Sequence, residues 1–217
     1  MKNLSAKNLF FKISLLALLL VSGCAAFGAI GYKTFGPTKV PAAYEPKKET
    51  MLVLADAYGS PAELQPYADQ IAVMVVDKLR QNLVAPLIDE SSLIRFRSTK
   101  GSSYEKMNIP EIGSAMKAQQ VLYIHLKNLS ATDVASDVVK AQVSADVRVV
   151  SVVSGQTLWP DIGSTREVTT PTQFVRKEGL HTAPQARGEM MDQLAEQVAR
   201  LFYSHTPDFE DKNATQD

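Results

Sequence analysis

The stretch that leaves this chain least freedom is "AQVSADVRVVSVVSGQTLWP", residues 141 to 160. Ala141, Val143, Ala145, Val147 and Val149 alternate with Gln142, Ser144, Asp146 and Arg148. A period of two sends alternate side chains to opposite faces of a pleated strand, so this segment predicts a strand with one dry face and one wet face. Ser154-Gly155 is a hairpin signal that returns the chain into a short strand over Thr157 to Trp159, and Pro160 ends it. A strand of this kind needs neighbours on both edges and a layer to cover its dry side.

The flanking sequence supplies both. "MLVLADAY" (51 to 58) is an almost unbroken apolar run closed by Gly59-Ser60-Pro61, which predicts a buried strand followed by a turn. With Ser60 as cap and Pro61 in the first turn, Leu64, Ala68, Ile71, Val75 and Leu79 recur at helical spacing as far as Asn82. A short strand about Leu87 and Ile88 and a short helix from Glu90 to Phe96 follow, then the polar, loop-like "STKGSSYEKMN" and a short helix over Ile109 to Ala118. "QVLYIHL" is rich in β-branched and aromatic residues and predicts a central strand covered on both faces. One more short strand is expected near Arg166 to Thr169. A helix from about Pro184 to His205 closes the body, with Met191, Leu194, Ala195, Val198, Leu201 and Phe202 in one apolar stripe. The sum is a single mixed-sheet α/β (α+β) sandwich with helices packed on the sheet, parallel pairing early and antiparallel pairing late.

Ahead of the body the chain changes character. Lys2, Lys7 and Lys12 precede the uncharged "ISLLALLLVSG", the charged start and short apolar middle of an export signal. As a helix those eleven residues reach about 16 Å, roughly half a hydrocarbon core, which is too short to span. Val21-Ser22-Gly23-Cys24 then resembles the bacterial lipobox, an aliphatic residue and two small residues before a cysteine. In that family the thiol is diacylated, the peptide is cut just before it and the new amino terminus is usually acylated too. The resemblance makes Cys24, the single cysteine, a lipidation site, and two or three acyl chains hold far better than one. The other reading of the same residues is an uncleaved span from Ile13 to Gly31. Ala25 stands where aspartate would speak for inner-membrane retention in the enteric scheme, which favours the outer membrane.

These boundaries give four regions: a signal peptide over 1–23, a lipidated Cys24 with a tether to residue 50, an envelope domain over 51–205, and a polar acidic tail over 206–217. Pro37, Pro41 and Pro46 stiffen the tether. The whole chain has zero formal net charge; without the first 23 residues, 20 basic residues face 23 acidic ones. A body at −3 gives no electrostatic reason to expect nucleic acid.

Catalytic motifs are absent from the sequence. His125, His181 and His205 lie far apart and none has a second ligand at metal spacing. Ser60 and Ser114 lack the glycine-flanked elbow and serve as helix cap and helix surface. Asp56 ends the first strand, where α/β folds often place function, but nothing in the sequence assigns it a partner, so a turn role is expected. No cofactor is called for. Arg95 and Arg97, interleaved with Phe96, and Trp159 beside Pro160 are candidate partner contacts, against the plainer expectations of a solvated face and of core packing.

"IPEIGSAMKAQQVLYIHL", then "VSADVRVVSVVSGQTLW", then a closing amphipathic helix resembles the envelope lipoprotein domains grouped with the amino-terminal domain of the Tol translocation protein, curli-secretion lipoproteins and the lipoprotein activators of penicillin-binding proteins. The resemblance covers roughly residues 50 to 204. In those proteins the helix-to-strand step carries an aspartate; here it is Lys117-Ala118-Gln119-Gln120. The resemblance implies a lipid-anchored, non-enzymatic protein of the cell envelope, facing the periplasm and working with other envelope proteins. Two alternatives accompany it: an oligomeric component of an export apparatus, which would want an extra membrane-crossing amphipathic segment, and an envelope hydrolase acting on glycan or lipid, which would want a polar cleft gathering Asp56, His125 and an acid.

Overall fold

The computed structural model describes residues 39–59, 62–135, 138–176 and 183–207. Cys24, Ser60, His181 and the acidic tail beyond residue 207 lie outside the described residues. The chain divides into two units, Pro41–Ser204 and a smaller one made of Met1–Val40 with His205–Asp217. In the smaller unit, Val40 and His205 exchange both backbone hydrogen bonds across an isolated antiparallel bridge.

The larger unit is a mixed sheet with helices packed on it. Its strands are β1 (Met51–Asp56), β2 (Gln120–Ala135), β3 (Val138–Ser151), β4 (Thr157–Trp159), β5 (Arg166–Thr169) and β6 (Gln173–Arg176). Its helices are α1 (Gln65–Gln81), α2 (Glu90–Lys100), α3 (Ile109–Ala115) and α4 (Ala183–Arg200). β1 pairs in parallel with β2, and β2 pairs antiparallel with β3 over nearly their whole lengths. The other edge of β3 is shared in succession by β4, β5 and β6, all antiparallel. Among the strands, parallel pairing is therefore confined to the first pair, whose connection carries α1, α2 and α3, as a long parallel crossover allows.

β3 obeys its alternation as far as Val149, after which Val150 is buried as well. Val139, Ala141, Val143, Ala145, Val147 and Val149 are fully buried, and with Leu122, Ile124 and Leu126 of β2 they form a floor on which α1 and α4 lie. α1 contributes Ala68, Ile71, Val75 and Leu79 to this core, and α4 contributes Met190, Leu194, Ala195 and Val198. The two helices are clamped at their surface by Lys78, which reaches Asp192 at 2.9 Å and Glu196 at 3.1 Å. Burial raises the Glu196 carboxyl, but hydrogen bonds from Lys78 and Arg200 outweigh it and hold the group below its ordinary range.

The structure departs from the sequence-based expectations in five places. The segment at Leu87 and Ile88 is an isolated parallel bridge to Met51, not a strand, because Pro86 has no N–H to extend a ladder. The helix expected from Glu90 to Phe96 continues to Lys100 and runs into a 3-10 helix over Gly101–Lys106, where a loop was expected. β2 extends nine residues beyond "QVLYIHL" to Ala135, and one of its faces is covered only in part: Tyr123 and His125 are half-buried. β6 was not foreseen. Residues 41–50, expected as tether, pack on the body: Tyr44 stacks on Trp159, and the buried Gln120 amide donates to the carbonyls of Lys47 and Glu49. Lys48 adds bonds to the carbonyls of Leu83 and Val84.

Candidate functional site

Odd-numbered positions of β3 face the helices, so its even-numbered ones face the other way. The parallel register puts Asp56 beside His125 and Leu54 beside Tyr123. The antiparallel register puts His125 opposite Asp146 and Tyr123 opposite Arg148, and β5 sets Glu167 beside Asp146. Two cross-strand rows result on one face. One is polar, Asp56, His125, Asp146 and Glu167; the next is Leu54, Tyr123 and Arg148.

Among the described residues, only one end of this face is roofed. Leu52, Leu54 and Val121 are buried beneath Leu93 of α2, Ile112 of α3 and Ala118. α3 starts at a capping box: Asn108 accepts from the Glu111 N–H at 2.9 Å, and the Glu111 carboxylate accepts from the Asn108 N–H at 2.8 Å. Its Gly113 touches the sheet so closely that a Cβ would stand 2.6 Å from Val152 and 2.8 Å from Val121. Where the roof ends, a cleft of about 850 Å³ opens, with Tyr104 and Met107 on one wall, Leu54 and Val150 on the floor, and Asp56, Tyr123 and Arg148 at its polar end.

The polar end is a hydrogen-bonded hub around Asp56. The Tyr123 hydroxyl donates to this carboxylate, lying 2.9 and 2.8 Å from its two oxygens. His125 Nδ1 lies 2.9 Å from Oδ1, and the Tyr58 N–H donates at 3.4 Å. A carboxylate only accepts, so Nδ1 carries the ring hydrogen in this pair. Burial, followed by the charge and hydrogen bond of Asp56, pushes the Tyr123 phenol well above its ordinary 10.0, against the opposing pull of Arg148. Tyr123 is therefore a donor across the neutral range, not a base.

The two cleft arginines differ. Arg97 is paired with Asp69 at 2.7 Å and lies over the Tyr104 ring. Arg148 stacks on Tyr123, its guanidinium carbon 5.0 Å from the ring centroid, and its Nε is buried with no hydrogen-bond partner. Among the described residues no carboxylate bonds to Arg148.

The structure scatters the residues singled out in sequence. Arg95 is exposed on α2 and donates to Ser92 of its own helix at 3.3 Å, whereas Arg97, two residues on, turns inward. Trp159 packs between Tyr44, at 6.1 Å, and Phe202, at 5.7 Å between ring centroids. Ser114 is exposed on α3. Asp56 and His125 are brought together from 69 residues apart, and Asp56 also serves the following turn through Tyr58. Sequence reasoning missed Tyr123 and Arg148: Arg148 stood at a wet position of the alternating strand, whereas Tyr123 lay in a strand expected to be covered on both faces.

No known protein family matches the chain, and no curated protein does. Distant likenesses exist among solved structures. Lipoprotein GNA1162 from Neisseria meningitidis is 14% identical, with a TM-score of 0.47 over 70% of this chain and 98% of its own. A PelC dodecamer from Paraburkholderia phytofirmans is 11% identical, with a TM-score of 0.43 over 77% and 99%. The hypothetical protein CT253 from Chlamydia trachomatis is 15% identical, with a TM-score of 0.41 over 70% and 96%. At such TM-scores nothing about the site is carried across. Among the described residues no helix is long and apolar enough to cross a membrane, and no cluster of three or more His, Cys, Asp or Glu is arranged to hold a metal.

Proposed function

We propose that this chain is a lipid-anchored lipoprotein of the cell envelope, held at a membrane surface by an acylated Cys24 and facing the periplasm, whose α/β body is a non-enzymatic binding or accessory module of envelope machinery. The observation that carries the anchor is the order basic start, uncharged Ile13 to Leu20, then Val21-Ser22-Gly23-Cys24. What supports the non-enzymatic reading is the state of the polar hub: Asp56 engages Tyr123 and His125 with its carboxylate, and Tyr123 holds its proton. These groups satisfy one another and position the cleft's end. Arg95, beside the exposed Ile94 on α2, is the singled-out arginine free to meet a partner; Arg97 and Trp159 are engaged within the fold. The outer membrane, favoured by Ala25, is part of the proposal.

Cys24→Ser tests the anchor. Palmitate label and membrane association are both expected to fall to background; undiminished label with unchanged fractionation contradicts it. A photocrosslinking residue in place of Arg95, read in intact cells, is expected to trap an envelope protein.

A second reading, an envelope hydrolase acting on glycan or lipid, is favoured by one observation, the Asp56–His125 pair at 2.9 Å beside a cleft. It predicts turnover of an ester or glycoside probe by the purified chain, abolished in His125→Ala. Absence of such turnover sinks it.

A further inference from the structure

A guanidinium is among the most demanding groups to leave without a partner, because its five N–H donors and full charge need compensation once water is restricted. Arg97 meets that demand in part, neutralising its charge against Asp69, although its Nε too is buried without a partner. Arg148 meets it only with the face of Tyr123, and its Nε is already cut off from solvent with nothing to donate to. Four charged residues line the cleft: Asp56, Glu105, Arg97 and Arg148. Asp56 is held by Tyr123 and His125, Arg97 is held by Asp69, and Glu105 is exposed on the 3-10 helix. Among the described residues the uncompensated positive charge facing the cleft is thus a single guanidinium, and the lining carboxylate without a partner, Glu105, is open to water.

The cavity around it has the size of a small-molecule site, about 850 Å³ against the usual range of roughly 300–1,000 Å³. Its walls next to Arg148 are apolar: Leu54, Met107, Ile112 and Val150. Such a site selects a ligand with one negative end and a hydrophobic remainder. One guanidinium matches a monoanion better than a phosphate dianion, and its planar fork matches a carboxylate in bidentate geometry.

We propose that this cleft binds a small monocarboxylate with an apolar or aromatic body, the carboxylate paired with the free edge of Arg148 and the body resting on Leu54, Met107, Ile112 and Val150. Tyr123 is the positioning residue: Asp56 fixes its hydroxyl, and its ring fixes the plane of the guanidinium. The inference does not depend on lipidation of Cys24.

The test uses the full chain in lipid nanodiscs, titrated calorimetrically with 4-phenylbutyrate and with 4-phenylbutanol, empty nanodiscs being subtracted. The carboxylate is expected to bind about tenfold to a hundredfold more tightly than the alcohol, the range of a charge-assisted hydrogen bond pair. Arg148→Gln is expected to erase that difference, Met107→Trp to weaken both probes by filling the cleft, and Lys140→Gln, an exposed site outside the cleft, to change neither. Near-UV circular dichroism checks that each variant keeps its packing; should Arg148→Gln lose it, Arg148→Lys, which keeps stem and charge, is expected to give an intermediate preference. Equal affinity for the two probes, no binding of 4-phenylbutyrate, or unchanged binding in Arg148→Gln or Met107→Trp overturns the proposal. So does binding of a phenylalanine-ended peptide when 4-phenylbutyrate fails, which would hand the cleft to a polypeptide terminus. Palmitate labelling of Cys24 reads the anchor separately, so the two failures are distinguishable.

Discussion

The two faces of the sheet are built by the same strands and have opposite fates. On one, the alternating residues of β3 and Leu122, Ile124 and Leu126 of β2 are sealed under α1 and α4. On the other, among the described residues, α2 and α3 roof only one end, and the remainder is a polar surface with a cleft at the junction. Adjacent residues such as Leu122, fully buried, and Tyr123, half-buried, therefore answer to different requirements. The sealed face supplies stability through apolar burial. The half-roofed face tolerates groups that a sealed core would reject, and Arg148 is the clearest of them.

Substitutions on the two faces are expected to separate accordingly. Leu122→Ala leaves a cavity beneath both long helices and is expected to cost about 3 kcal/mol in urea unfolding; a loss under 1 kcal/mol would mean that the face is loosely packed. Gly113→Ala forces a methyl against Val121 and Val152 and is expected to cost about 2 kcal/mol. A neutral result there would show that α3 can lift off the sheet, and with it one wall of the cleft. Tyr123→Phe removes a donor from the Asp56 carboxylate and is expected to cost about 1.5 kcal/mol.

Glu196→Gln weakens the clamp between α1 and α4 and is expected to cost about 1 kcal/mol at neutral pH. Because the folded Glu196 carboxyl lies below its ordinary 4.5, its contribution is present above that value and fades as pH falls through the lowered one. Wild type and variant should therefore converge in acid, and a gap that persists there would assign the effect to packing. Arg148→Gln is expected to move stability least, within about 0.5 kcal/mol, since it exchanges a cation–π contact for relief of an unpartnered buried nitrogen. A large loss would make Arg148 a structural residue and blur the contrast between the faces.

The sealed face was the legible one. The alternation from Ala141 to Val149 and the helical stripes of α1 and α4 are visible as periodicity, because apolar burial imposes a repeat on the sequence. β6 and the far half of β2 were not legible. "KNLSATDVA" mixes polar and apolar residues because it runs where the wet face dominates; Thr132, Val134 and Ala135 are exposed there, so no repeat is enforced. Of the candidate site, Asp56 and His125 drew notice singly, by strand end and residue type. Their meeting depends on strand register across 69 residues, and Tyr123 and Arg148 owe their places to the same register. A local reading has no access to that quantity, although wet positions on two neighbouring strands are where such a constellation must form.

Both faces serve a body proposed to sit at a membrane surface, and that placement is tested most directly by intact and peptide mass spectrometry of the chain isolated from its native membrane. The account predicts a mature amino terminus at Cys24, with the sulfur carrying diacylglycerol. A polypeptide beginning at Met1 with an unmodified Cys24 thiol would contradict it.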